Sequence, residues 1–102
     1  MANFAVRMVH LANWDESRSI RDQAAWIEHA SFMDALVDEG FILLGGPLGN
    51  GESAMHLIEA NDANEVEARL GEDPWAKMGM LGIGLIERWR LWLDGRTTSE
   101  HH

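Results

Sequence analysis

Residues 40–62, GFILLGGPLGNGESAMHLIEAND, decide the fold. Phe41–Gly45 is an apolar run of strand length, and Met55–Ala60 resumes strand character after the loop Gly46-Pro47-Leu48-Gly49-Asn50-Gly51-Glu52. Two such runs around a wide, Gly-rich connection predict a β-hairpin. Both flanks of the hairpin read as helix. Gly40 suits the position just past a helix C-terminus, where a left-handed backbone is needed. Asp62 with Glu65 three residues later makes a capping-box-like start to a helix through about Leu70, which Gly71 ends.

Upstream, Ser19 can cap a helix, with Asp22 three residues on, that runs to about Asp38. At 100° per residue Ala25, Trp26, Ala30, Phe32, Met33, Leu36 and Val37 share one arc, and Glu28, Ser31, Asp34 and Asp38 take the other side. Before it, Asn13–Arg18 is a polar connection and Phe4–Leu11 a short apolar strand. Downstream, Asp73-Pro74 opens a helical turn through about Met78, and Gly82–Leu93 carries a long apolar strand. The order β-α-β-β-α-β predicts an α+β fold of the ferredoxin-like kind, an antiparallel four-stranded sheet with helices on one face. Apolar residues fall on both parities of Phe4–Leu11, Phe41–Leu44 and Ile83–Leu93. The second sheet face is therefore expected to pack on another copy of the chain, making a homodimer.

At 102 residues the chain fits one domain, expected over residues 1–96, and its 46% hydrophobic and 25% charged content is that of a globular protein. Seventeen acidic residues against eight basic ones give a net charge of −9. Such a field repels phosphate backbones and anionic membranes, so no nucleic-acid or membrane partner is expected. Without Cys there are no disulfides, thiolate nucleophiles or thiolate metal sites. The longest uncharged apolar stretch, Met78–Ile86, is nine residues with three glycines, against the ~20 that span a bilayer. The N-terminus has no basic region followed by an apolar one, and a cytoplasmic location is expected. Residues 97–102, with Ser99-Glu100-His101-His102, read as a tail left by a purification tag.

Outside that tail the histidines are His10, His29 and His56. With no Tyr and one Lys, Lys77, proton transfer rests on His, Asp or Glu. His29 lies in the middle of the apolar arc of the first helix and faces inward, either as a satisfied core histidine or as a base. Asp73 before Pro74 is what a helix start uses for its own sake, and one carboxylate oxygen can cap while the other orients an imidazole. His10 and His56, on strands, match no metal-ligand spacing with His29 and Asp73, and no metal is expected. Gly46-x-x-Gly49-x-Gly51 and Gly79-x-x-Gly82-x-Gly84 are not phosphate-binding fingerprints, and no cofactor is expected. Arg7, Arg88 and Arg90 either give a cleft positive potential or, the favoured reading on so acidic a chain, pair with carboxylates. Trp14, Trp26, Trp75, Trp89 and Trp92 read as core or dimer packing first and pocket wall second.

His29 in the first helix, Gly46-Pro47 at the end of the second strand and Asp73-Pro74-Trp75 before the last strand, in a βαββαβ order over about residues 4–93, resemble the YCII-related domains of the dimeric α/β barrel group. The resemblance implies a dimeric ferredoxin-like barrel with a cleft lined by a His and an Asp, His29 and Asp73, acting as an acid/base pair. Trp75, Gly46 and Pro47 would then contact the ligand. Members have been linked to elimination and isomerisation steps in aromatic breakdown. They often carry an Arg one turn before the helix His, where this sequence has Trp26. The expected activity is cofactor-independent proton transfer, of the lyase or isomerase type, on a small cyclic or aromatic molecule. The alternative is a non-catalytic small-molecule-binding or accessory dimeric module that uses the same His and Asp structurally.

Overall fold

A computed structural model of the chain describes residues 1–96. The proposed tag remnant at 97–102 lies outside the described residues. Four strands, β1 (Ala2–His10), β2 (Ile42–Leu48), β3 (Ser53–Ala60) and β4 (Leu81–Arg88), form one sheet in the order β2-β3-β1-β4. Every neighbouring pair is antiparallel. The helices are α1 (Trp26–Asp38), α2 (Ala63–Leu70) and α3 (Pro74–Lys77). This is the ferredoxin-like α+β arrangement expected from the hairpin between two helices.

Strand register explains where the core lies. Phe4 stands opposite Ile58, Val6 opposite His56 and Met8 opposite Ala54, so these residues share one face. That face meets Leu36 of α1 and Val66 and Leu70 of α2 in the main buried cluster. Val6, Ile58 and Val66 have no exposed surface at all, and burying each such side chain contributes about 1.5–3 kcal/mol relative to leaving it in water. On the other face the same register places Ala5, Arg7, Leu44, Met55 and Leu57. Leu44 there is 53% exposed and Leu48 43%.

Several element boundaries differ from the sequence reading, each for a tertiary reason. The helix expected from Ser19 to Asp38 is two pieces, a 3-10 turn at Ile20–Asp22 and α1 from Trp26. Ser19 does not cap a backbone N–H; its hydroxyl bonds the Asp22 carboxylate at 2.9 Å. Between the pieces the buried Gln23 amide accepts from the Asp15 N–H and donates to the carbonyls of Asp15 and Arg18. The Trp75 indole N–H takes the Ala24 carbonyl at 2.6 Å. Ala25 then adopts a left-handed backbone with φ 59°, a conformation costing about 1 kcal/mol for an L-residue. Those side-chain bonds hold it there.

Val37, assigned to the inward arc, is 51% exposed at the mouth of the cavity described below. Gly40, with φ +80°, does end α1 as expected. The second strand does not stop at Gly45: Gly46, Pro47 and Leu48, read as loop, belong to β2. β2 is an edge strand, where Pro is tolerated. The last strand ends at Arg88 rather than Leu93. Among the described residues its only neighbouring strand is β1, and after Phe4 has paired with Arg88 and the Trp89 N–H has reached the Asn3 carbonyl, little of β1 remains to pair with.

Candidate functional site

α1 and α3 bring together two residues 44 positions apart in the chain. His29 Nδ1 lies 2.9 Å from Asp73 Oδ1 and 2.8 Å from Oδ2, with both residues buried. Asp73 is the N-cap of α3, and its Oδ1 also accepts from the Trp75 N–H at 3.0 Å. Capping and orienting are thus done by one carboxylate. A carboxylate on Nδ1 fixes the imidazole tautomer with its proton there, which leaves the lone pair on Nε2. Trp75, 1% exposed, stacks flat on the His29 ring with centroids 3.8 Å apart and planes 8° from parallel. Trp14 meets Trp75 edge-on at 5.1 Å, His10 stacks on Trp14 at 3.8 Å, and Trp26 packs tilted against both His29 and Trp75.

These rings wall one side of a cavity of about 250 Å³. Met8, Met33 and Ile42 supply apolar surface, and Gly45, Gly46, Pro47, Ala54 and His56 form the floor on β2 and β3. The residues that the resemblance implies for the site, His29, Asp73, Trp75, Gly46 and Pro47, fall at this place. Four of them line the cavity, and Asp73 stands behind His29.

The arginines do something else. Among the described residues Arg7, Arg88 and Arg90 neither line this cavity nor make an ion pair, contrary to the pairing favoured from composition. The ion pairs instead join Arg69 to Glu39, Lys77 to Glu72, Arg18 to Asp15 and Arg96 to Asp94. Among the described residues no group of three or more His, Asp or Glu side chains is placed to hold a metal ion, and no helix is long and apolar enough to cross a membrane.

From the sequence His56 is a candidate for nothing beyond a metal ligand. It is 9% exposed on the cavity floor, and burial first, then the charge of His29, holds its pKa below the ordinary 6.5. Its signal in the sequence is the glycine it faces across the strands, Gly45, which only the β2–β3 register reveals.

No family model and no curated protein sequence matches the chain. Among solved structures, the chain is similar to 5-chloro-2-hydroxyhydroquinone dehydrochlorinase from Burkholderia phenoliruptrix, determined in complex with 2,5-dihydroxybenzoquinone. The two are 22% identical, the TM-score is 0.62, and the match covers 85% of this chain and 93% of the other. At that identity the likeness establishes a common fold.

Proposed function

We propose that the chain is a YCII-related enzyme of the lyase or isomerase kind, moving a proton on a small cyclic or aromatic molecule with His29 as base and Asp73 as its orienting partner. The observation that carries this reading is the buried His29–Asp73 pair at the wall of an apolar, ring-sized cavity. The structural neighbour adds support of a general kind, since it is named for a dehydrochlorination and was determined with a quinone. Nε2 of His29 takes the proton, and the Asp73 carboxylate stabilises the imidazolium so formed. In an elimination, the electron pair released expels the leaving anion and His29 passes its proton to solvent. In an isomerisation, the proton returns at another carbon. Trp75, Gly46 and Pro47 pack against the ring meanwhile.

General base catalysis of this sort contributes about 10²–10⁴-fold. Chloride release from a panel of chlorinated hydroquinones, and double-bond migration in a panel of unsaturated lactones, should be found in the wild type and fall at least ~100-fold in His29→Ala. Wild-type rates in that variant would remove His29 from the chemistry.

The binding-module alternative has its own observation: both side chains already have structural partners, Asp73 as the cap of α3 and His29 stacked on Trp75. A ligand retained without turnover would favour it. In either case we propose a homodimer formed through the face away from the helices, where Leu44 and Leu48 are exposed. Light scattering that gives a stable 11.5 kDa species at micromolar concentration would rule the dimer out.

A further inference from the structure

His56 stands on β3 with its side chain on the helix-facing side of the sheet, between Val6 of β1 and Gly45 of β2. Its Nδ1 is buried and has no hydrogen-bond partner among the described residues, although buried polar atoms are almost always paired. Gly45 makes room for the ring. A Cβ at that position would lie 2.1 Å from Nδ1 and 2.8 Å from Cε1, so the imidazole rests against bare backbone, and any other residue at 45 would displace it. Burial in this place favours the uncharged ring. A neutral imidazole carries one N–H, and its surroundings choose the nitrogen. A proton on Nδ1 would leave a buried donor without an acceptor, which proteins tolerate less well than an unused lone pair. The proton therefore belongs on Nε2.

We infer that His56 is the neutral hydrogen-bond donor of the cavity, its Nε2–H binding an oxygen of an uncharged oxygenated ring, a phenol or quinone, on which His29 acts. The inference rests on the reading of His29 as the base. The choice of ligand follows from the lining. No Arg or Lys among the described residues lines the cavity, whereas Asp34 does and Asp73 lies behind His29. A carboxylate ligand would therefore enter without a partner cation. The volume of about 250 Å³ exceeds the ~150 Å³ that admits benzene, which leaves space for a few substituents. When His29 takes a proton from a ring hydroxyl or carbon, the released electron pair moves onto the ring oxygen. A donor already in place there strengthens its bond as that charge grows. The pair then returns into the ring and expels the leaving anion, or recaptures a proton at another carbon. Because His56 is neutral, no second cation from it shares the cavity with the His29 imidazolium.

Two measurements on the whole chain test this and separate it from the role of His29. Imidazole 15N–1H NMR of the wild type should show His56 uncharged at pH 7 with its proton on Nε2. A proton on Nδ1, or a charged ring, would overturn the assignment and leave His29 untouched. Calorimetric titration then uses methylhydroquinone, which has no leaving group, as the uncharged probe and 3-methylbenzoate as the anionic one. Methylhydroquinone should bind the wild type more tightly than 3-methylbenzoate, about tenfold more weakly to His56→Phe, and within about threefold of wild type to His56→Gln, whose amide N–H can stand near Nε2. Equal affinity for wild type and His56→Phe, or equal losses in both variants, would overturn the donor role while the turnover test of His29 stands by itself. Preference for 3-methylbenzoate, or no binding of methylhydroquinone, would overturn the uncharged-ring assignment.

Discussion

Asp62 and Asp73 hold the same local position, each the N-cap of the helix that follows, and differ in everything around it. Asp62 is exposed, and its Oδ1 accepts from the Glu65 N–H at 2.8 Å while Glu65 Oε1 accepts from the Asn61 N–H at 2.7 Å. The network serves α2 alone. Asp73 is 3% exposed; its Oδ1 caps α3 through the Trp75 N–H, and both of its oxygens also face His29 Nδ1. A cap in water is replaceable, because water offers the orphaned N–H another partner. A cap that also holds the ring nitrogen of a buried imidazole is not.

The largest expected effect that this contrast yields is on stability. Asp73→Ala should cost about 3 kcal/mol, because it strips a buried His29 of its partner as well as uncapping α3. Asp62→Ala should cost about 1 kcal/mol, the ordinary value of a cap. Urea denaturation of the two variants decides it, and equal losses would mean that the buried contact adds nothing.

Asp73→Asn sharpens the comparison. Asn is as good a cap as Asp, so stability should fall by no more than about 1 kcal/mol. The charge that steadies an imidazolium is gone, however, so turnover should fall far more than stability. A loss of several kcal/mol instead would indicate that a buried charge network, rather than capping plus orientation, is what Asp73 provides.

The smallest effect concerns pH and the cavity floor. The folded state holds His56 below the ordinary 6.5, so the unfolded chain binds the proton first as pH falls. His56 therefore draws no stability away above about pH 6.5, and its contribution turns unfavourable through the interval between that value and the depressed folded-state one. His56→Gln should flatten that part of the stability profile. An unchanged slope would mean that the floor is wetter than its burial suggests.

His29 as an inward-facing residue and Asp73 as a helix cap were each legible in the residues, through an apolar arc and an Asp-Pro helix start, but their contact spans 44 positions and was an expectation only through the family resemblance. The hairpin and both helix starts at Asp62 and Asp73 were equally readable, since capping chemistry is local. What the sequence concealed depends on long-range partners. Ala25 is a good helix former, and nothing nearby announces that the Gln23 amide and the Trp75 indole will claim the loop backbone before it. Gly46-Pro47 looks like loop unless the strand is known to lie at a sheet edge. His56 acquires meaning only from the glycine opposite it, and the run MHLIEA does not state that register.

Because β4 pairs with β1 along Phe4–His10, the first strand synthesised waits for the last. Until Leu81–Arg88 arrives, one side of β1 presents unpaired N–H and C=O groups on an apolar segment, while α1 and α3, with His29 and Asp73, are already in the nascent chain. Such an edge is a template for pairing with other chains. The completeness of the site and the safety of the sheet are thus reached at different moments of synthesis. A chain interrupted after Gly79 would own every residue of the His29–Asp73 pair and aggregate through its first strand.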